Sequence, residues 1–342
     1  MIVGGVPMLF GGATRAAYVA VTYFASPYIS VYPWSAAGFG TKLADPATLP
    51  GALAFSTAFS PDGAQIAVGS NSSPYITIYP WSIAGFGTKY TNPATLPTGG
   101  GSGVAFSPAG TEIAVAHFTT PFVTVYPWSS SGFGTKFADP ATLPAGDAKC
   151  PAFSPAGTEI VIAHDAAPYV TAYPWSSGGF GSKFANPATT PTNTGKGAAV
   201  TPNGNQLVIA HATSPRVSAY PWSSSGFGTK FADPATLPAS DANFVAISRT
   251  GTEVAIAHGD TPFVTAYPWS SSGFGTKFSD PATLPTGNGL GVAFSIAGTE
   301  IAVAHVDTPY VTAYAWSSSG FGTKFSDPAT LPGTTGRSVA FG

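Results

Sequence analysis

The chain has 342 residues, of which only 8% are charged, against ~25% in an average protein, and its formal net charge is −2. The charged residues form no basic run, and no stretch of about 20 apolar residues is uninterrupted, so we expect neither a nucleic-acid partner nor membrane insertion. Cys150 is the only cysteine, which excludes an internal disulfide and a cysteine cluster that binds zinc.

Tryptophan marks an internal repeat that organises the whole sequence. Each tryptophan follows the previous one by 47 residues, with no insertion or deletion: Trp34, Trp81, Trp128, Trp175, Trp222, Trp269 and Trp316. A fixed period of this length is the signature of a repeat architecture. We therefore expect residues 1–342 to form one closed repeat domain, in which residues 1–17 are an atypical N-terminal segment.

Each repeat contains four short strand patterns, which the third copy shows well. Residues 103–107 are apolar and end in a turn, and residues 112–117 form a second apolar run. Residues 122–128 alternate between two faces and are rich in β-branched and aromatic side chains, as in a strand. Residues 132–137 are a weaker fourth strand. Four-stranded units repeated around an axis are typical of β-propellers, so the sequence predicts an all-β, seven-bladed β-propeller of four-stranded antiparallel blades.

Two segments resemble a known family. Val104-Ala-Phe-Ser-Pro-Ala-Gly110 followed by Ile113-Ala-Val, and still more closely Ser56-Thr-Ala-Phe-Ser-Pro-Asp-Gly63, resemble the first two strands of WD repeats and their YVTN-type relatives. The resemblance covers residues 14–342 and implies a seven-bladed propeller whose strands a, b, c and d run from the centre of the ring outward. The chain departs from WD repeats because Ser129 rather than Asp follows Trp128 and no Gly-His pair precedes the first strand.

The recurring YPWS, GFGTK and DPATLP motifs are also similar to repeat proteins of bacteriophage genomes. This similarity implies a virion or tail-associated protein. The low charge and the lack of disulfides favour a virion or a cytoplasmic location over secretion.

The two ends of the chain indicate how the ring closes. Phe341 follows Trp316 by 25 residues, just as Phe106 follows Trp81, so the C-terminus supplies one extra strand a. We expect residues 337–341 to complete the first blade with strands near residues 19–23, 28–34 and 38–43. In the alternative, Pro7–Phe10 form that inner strand.

No pattern of residues indicates catalysis, a metal site or a cofactor. Histidine recurs at one repeat position, in His117, His164, His211, His258 and His305. Equivalent positions on different blades are spread around a ring, whereas zinc ligands must lie within ~4 Å of one another, so we expect these rings to bond to neighbouring backbone. The repeated glutamates, such as Glu112, are isolated, whereas glycoside hydrolysis needs two carboxyl groups ~5–9 Å apart. We expect a protein that is not an enzyme.

The repeats differ mainly in two sets of loops, the segments between strand d and the next strand a and the turns between strands b and c. Strand direction alternates within a blade, so both sets lie on one face of the ring. That face carries blade-specific charged residues: Asp147, Lys149, Lys196, Asp241, Asp260, Asp307 and Arg337. The hypothesis is that they bind a protein partner; the alternative is that the loops vary because nothing constrains them.

The periodic aromatic residues allow two interpretations. Most are expected to pack between blades, but the seven tryptophans could instead form sugar-stacking sites, which would give a multivalent lectin. The leading prediction is therefore a non-catalytic binding or structural module, and the alternative is a carbohydrate-binding lectin with one similar site per blade. The sequence indicates no oligomeric state.

Overall fold

The computed structural model describes residues 17–342, and these residues form seven four-stranded antiparallel sheets. Each inner strand contacts the inner strands of the two neighbouring blades. The C-terminal strand, which is the inner strand of the first blade, contacts those of the seventh and the second blade and so closes the ring. The described residues form only strands and loops, and none of their segments is a helix long and apolar enough to cross a membrane. The predicted seven-bladed β-propeller is confirmed.

The strands are numbered β1–β28 in chain order. The inner strands a of blades 1–7 are β28 (Gly336–Phe341), β4 (Ala54–Phe59), β8 (Gly101–Phe106), β12 (Ala148–Phe153), β16 (Gly195–Val200), β20 (Ala242–Ile247) and β24 (Gly289–Phe294). Strands b are β1 (Ala17–Tyr23), β5 (Gln65–Ser70), β9 (Glu112–His117), β13 (Glu159–His164), β17 (Gln206–His211), β21 (Glu253–His258) and β25 (Glu300–His305).

The outer half of each blade follows the same order. Strands c are β2 (Ile29–Ser35), β6 (Ile76–Ser82), β10 (Val123–Ser129), β14 (Val170–Ser176), β18 (Val217–Ser223), β22 (Val264–Ser270) and β26 (Val311–Ser317). Strands d are β3 (Gly38–Phe39), β7 (Gly85–Phe86), β11 (Gly132–Phe133), β15 (Gly179–Phe180), β19 (Gly226–Phe227), β23 (Gly273–Phe274) and β27 (Gly320–Lys324).

The C-terminal strand completes the first blade. β28 pairs antiparallel with β1, in a register that joins Phe341 to Val19 and Gly336 to Tyr23. The expected closure by the C-terminus is confirmed, with a strand that begins one residue earlier than expected. The alternative inner strand, Pro7–Phe10, lies outside the described residues.

Strand d is shorter than the sequence predicts in six of the seven blades. Residues 132–137 were expected to form it in blade 3, but the paired strand spans Gly132–Phe133. The adjoining residue of strand c is proline in these six blades, such as Pro127, and proline has no N–H to donate to a ladder. Blade 7 has Ala315 at this position, and there strand d extends over Gly320–Lys324.

Strand c begins one residue later than predicted. Phe122, the expected first residue, has φ = 71°, which is incompatible with extended backbone. Its N–H donates a hydrogen bond to the carbonyl of Thr119 at 2.7 Å, closing the b–c turn. The strand therefore starts at Val123.

The hydrophobic core lies between blades and contains the periodic tryptophans. Trp128 is 4% exposed and packs edge-on against Phe133 of its own blade and Tyr90 of the preceding blade, with ring centroids 5.0 and 4.9 Å apart. The Tyr126 hydroxyl donates to the Thr95 carbonyl at 2.7 Å. All seven tryptophans are at most 7% exposed, so they present no open ring face on which a sugar could stack.

Candidate functional site

A pocket of about 390 Å³ opens at the centre of the ring. Its wall includes the second residue of every inner strand, and these seven side chains recur at intervals of 47 residues: Phe55, Ser102, Lys149, Lys196, Asn243, Leu290 and Arg337. The repeat thus places one side chain per blade at the pocket, and its identity differs from blade to blade.

A β-bulge turns each of these residues toward the pocket. In blade 4, Ala148 pairs with His164 and Cys150 pairs with Ala163, which leaves Lys149 without a partner in the ladder. A bulge re-aims the side chain of its extra residue and occurs often beside active sites. Because the bulge recurs in every blade, the backbone fixes the direction of seven side chains whatever their chemistry.

Lys149 is surrounded by carboxylates. Its Nζ lies 3.3 Å from Oδ2 of Asp165 in the b–c turn and 3.7 Å from Oδ2 of Asp147 in the preceding d–a segment. The N–H of Asp165 donates to the carbonyl of Asp147 at 3.2 Å, so the two loop sets meet on one face, as the alternation of strands requires.

Lys196, on the adjacent inner strand, has similar surroundings. Its Nζ lies 3.4 Å from Oδ2 of Asp241 and donates to Oδ1 of Asn243 at 3.0 Å. The Asn243 amide donates in turn to the carbonyl of Gly289 at 2.8 Å. We name Lys149, Lys196, Asp147, Asp165 and Asp241 the lysine–aspartate cluster.

Two phenylalanines, Phe55 and Phe118, line the pocket on another side, and Phe24 packs beside them. Phe55 lies between Phe24 and Phe118, with ring centroids 5.2 and 5.5 Å apart in edge-on contacts. The Arg337 guanidinium carbon lies 4.8 Å from the Phe24 centroid and 5.6 Å from that of Phe55. The Lys149 ammonium lies 4.7 Å from the Phe118 centroid. Cation–π contacts of this kind hold both cations against the aromatic wall.

The buried titratable groups near the pocket are held in their neutral forms. Burial raises the pKa of the Cys150 thiol to about 11, so it is not a thiolate nucleophile at neutral pH. Burial also lowers the pKa of His117 to about 4, and its Nε2 lies 3.0 Å from the Thr124 hydroxyl. The hydroxyl on strand c is thus a second partner, beside the expected backbone hydrogen bond, which His117 makes with Thr119.

The five histidines share this arrangement. Each is fully buried and has Nε2 within 3.1 Å of a threonine or serine hydroxyl on strand c. Within residues 17–342, no three His, Cys, Asp or Glu side chains are grouped so that they could hold a metal ion.

The structure brings together most of the seven charged residues that the sequence indicated. Lys149, Lys196 and Arg337 line the pocket, and Asp147 and Asp241 contact the two lysines. Asp260 and Asp307 are exposed in b–c turns and do not line the pocket. Binding of a protein partner by these seven residues stays a prediction.

Sequence reasoning missed several residues of the site. They are Phe24, Phe55, Phe118, Asp165 and Asn243. A signal was present, because each occupies a repeat position at which the seven copies differ from one another.

Known proteins resemble this chain in structure but not in sequence. No family model matches the chain, and no curated protein matches it. A propeller from Bacteroides fragilis that carries the provisional name 6-phosphogluconolactonase superposes with a TM-score of 0.76 at 13% identity, over 96% of this chain and 98% of that one. The periplasmic gluconolactonase of Pseudomonas aeruginosa has a TM-score of 0.69 at 17% identity, over 95% and 99%. A β-propeller domain from Myceliophteria thermophila has a TM-score of 0.60 at 11% identity, over 81% and 88%.

These comparisons change the functional expectation. The likeness confirms the propeller fold that the WD-type resemblance implied. None of these three structures is named as a phage protein, so the similarity to bacteriophage repeat proteins stays a prediction. The expectation of a non-catalytic binding or structural module, with a lectin as the alternative, is wrong, as is the expectation of a protein that is not an enzyme. Propellers named as lactonases superpose on nearly the whole chain, and the tryptophans are buried rather than open to a sugar.

Proposed function

We propose that the protein is a hydrolase that opens a sugar lactone in the central pocket. One observation carries the proposal: two lysines on adjacent inner strands, Lys149 and Lys196, line the pocket, and each has a carboxylate within 3.4 Å of its ammonium group. The names of the similar propellers supply the substrate class, a cyclic ester of a sugar acid.

The cluster contains the two kinds of group that ester hydrolysis requires. A water molecule attacks the carbonyl carbon of the lactone, and a carboxylate such as that of Asp165 accepts a proton from it. The negative charge that develops on the carbonyl oxygen is stabilised by hydrogen bonds from Lys149 and Lys196. The bond between the carbonyl carbon and the ring oxygen then breaks, and the ring oxygen takes a proton to become a hydroxyl group. The product is a hydroxy acid, which releases one proton at neutral pH.

The pocket has a size and a lining that suit a sugar-derived ligand. Its volume of about 390 Å³ lies within the range of ligand sites, ~300–1,000 Å³. The hydroxyls of Ser102 and Thr194 offer partners for sugar hydroxyls, and Phe55 offers an apolar ring. Sugars present both kinds of surface, so this wall complements them.

Substituting either lysine tests the proposal. The wild-type protein is expected to release protons from glucono-δ-lactone faster than the uncatalysed reaction. Lys149→Met or Lys196→Met is expected to lower kcat/KM by about 100-fold, as removal of one donor to an oxyanion does elsewhere. The measurement is initial proton release in a pH-stat at several lactone concentrations.

Lys183→Met is the matched control, because Lys183 lies on the outer rim, where its ammonium donates to Asn186 rather than to a pocket residue. This variant loses the same charge and should keep the wild-type rate. The proposal fails if the wild-type protein gives no rate above the uncatalysed one, or if all three variants have equal activity.

A further inference from the structure

The third residue of each inner strand is small in six blades and large in one. Each inner strand enters the central channel from the d–a segment at the pocket mouth, so its third residue lies one step deeper than its second. In blade 6 this third residue is Phe244, which lines the pocket. The other blades carry serine, glycine or cysteine there: Ser56, Gly103, Cys150, Gly197, Gly291 and Ser338.

The ring of Phe244 extends from blade 6 into the channel. It packs against the hydrophobic cluster between blades 6 and 7, which includes Val292. It also packs against the cluster between blades 4 and 5, which includes Cys150 and Ala198. The inner strand of blade 5 stands between these two places, and Phe244 lies on its channel side because it lines the pocket. The ring therefore reaches the second cluster across the channel.

This position is beneath the two lysines of the proposed site. Cys150 follows Lys149 directly along β12, and Ala198 follows Lys196 by two residues along β16. Both residues are thus deeper in the channel than the lysines, and they belong to the cluster that the Phe244 ring contacts. The ring forms a floor under the lysine side of the pocket.

The pocket is deeper on the side that faces Phe244. There the fourth residue of the inner strand also lines the pocket, as Thr57 in blade 2 and Val104 in blade 3. Each of these blades is three blades away from blade 6, one in each direction round the ring. Their third residues are Ser56 and Gly103, so no ring fills the channel on that side. Phe244 thus makes the depth of the pocket unequal.

We propose that Phe244 is a specificity-determining residue, whose ring closes the channel beneath Lys149 and Lys196 and limits this side of the pocket to monocyclic lactones. A lactone with a second ring fused to the first meets the Phe244 ring before its carbonyl reaches the ammonium groups. Exclusion of this kind selects substrates by shape rather than by charge. The inference rests on the proposed function and deepens it, because it names the class of lactone that the site accepts.

Moving a benzene ring from the protein to the substrate tests the floor. Dihydrocoumarin is a δ-lactone fused to a benzene ring, so it carries the ring that Phe244→Ala removes. In this variant, kcat/KM for dihydrocoumarin relative to glucono-δ-lactone should rise about 10- to 100-fold above the wild-type ratio, as discrimination by apolar contacts does elsewhere. Both rates are measured as proton release in a pH-stat. The other six blades fold with a small residue at this position, so the variant is expected to fold.

Phe278→Ala is the matched control. Phe278 packs against the same cluster between blades 6 and 7, but from the outer part of blade 6, where its ring centroid lies 5.4 Å from that of Trp316. This variant loses the same ring and should keep the wild-type ratio. An equal rise in both variants would show that loosened packing, not the floor, changes the preference, and the inference would be wrong.

Binding of chroman separates the floor from the proposed activity. Chroman has the two fused rings of dihydrocoumarin but no ester, and an apolar cavity left by a deleted side chain can bind such a ring. If the wild type hydrolyses glucono-δ-lactone and Phe244→Ala leaves the ratio unchanged, the floor is wrong and the lactonase proposal stands.

If the wild type hydrolyses neither lactone, the lactonase proposal fails, and crystals soaked with chroman decide the floor. Chroman in the space of the Phe244 ring in Phe244→Ala, and not in the wild type, supports the floor. The same occupancy in both proteins, or none in the variant, contradicts it.

Discussion

Deleting residues 336–342 is expected to remove at least ~5 kcal/mol of folding stability, since burial of one large apolar side chain contributes roughly 1.5–3 kcal/mol. These residues form β28, which pairs with β1 over five positions. Val339 is only 5% exposed and packs with Val19, Val21 and Ala304 between blades 1 and 7. Without this strand the ring is open between β24 and β4. Thermal unfolding should show a fall in Tm of more than about 10 °C, or no cooperative transition.

Deleting residues 2–16 is the control for this experiment. The inner position of blade 1 is already occupied by β28, so the N-terminal deletion should change Tm by much less than the C-terminal one. A larger loss of stability on deleting residues 2–16 than on deleting residues 336–342 would show that β28 is not the strand that secures the ring.

Mild acid is expected to destabilise the protein steeply. Burial lowers the pKa of each of the five histidines to about 4, whereas an unfolded histidine has a pKa of ~6.5. Between these values the unfolded chain binds protons that the folded chain does not, so the free energy of unfolding falls as pH decreases.

From pH 7 to pH 5 the free energy of unfolding falls by about 2 kcal/mol per histidine. Five such losses approach the whole stability of a typical domain, ~5–15 kcal/mol. Urea unfolding at pH 7, 6 and 5 measures this; equal midpoints would contradict it.

Blade 1 provides the matched variant for the histidine prediction. There Tyr23 replaces histidine, and its hydroxyl lies 2.9 Å from the Ser30 hydroxyl. In blade 5 the partner of His211 is also a serine, Ser218, at 3.1 Å. The ring of Tyr23 fits in blade 1 because Gly333 has no side chain; a Cβ there would lie only 2.9 Å from the ring. The equivalent residue in blade 5 is Thr192, whose side chain would occupy that space.

His211→Tyr combined with Thr192→Gly should therefore reproduce the blade 1 pair. Its stability at pH 7 should be within ~1 kcal/mol of wild type, since one neutral side-chain hydrogen bond replaces another. Between pH 7 and pH 5 it should lose about 2 kcal/mol less than wild type, because one buried histidine is gone. The pH explanation fails if the double variant has the same acid sensitivity as wild type. His211→Tyr alone should be destabilising, since the Thr192 side chain meets the added ring.

The fold follows from sequence because its determinants are local and repeated. The 47-residue spacing of residues such as Trp128 fixes the number of blades, and the spacing of Phe341 from Trp316 fixes the closure. The predicted length of strand d was wrong because a proline on the neighbouring strand limits the pairing. Pro127 on strand c has no N–H to donate to the ladder that residues 132–137 would have formed.

The site was only partly predictable because its groups meet through the ring rather than along the chain. Lys196 and Arg337 are 141 residues, or three repeats, apart, and no spacing rule for a catalytic motif joins them. Variation among the repeats nevertheless indicated these residues and Lys149. No sequence pattern marks the bulges, which come from strand pairing, and so the side chains of Phe55 and Asn243 could not be predicted to point into the pocket. The expectation of no catalysis rested on isolated glutamates such as Glu112, whereas the carboxylate that lies beside Lys149 in space is that of Asp165.

A crystal structure of the protein with gluconate, the product of the proposed reaction with glucono-δ-lactone, tests the account most directly. The account predicts one molecule in the central pocket, with its carboxylate within hydrogen-bond distance of Lys149 or Lys196. A product molecule bound elsewhere, or a central pocket that stays empty at saturating product, would contradict it.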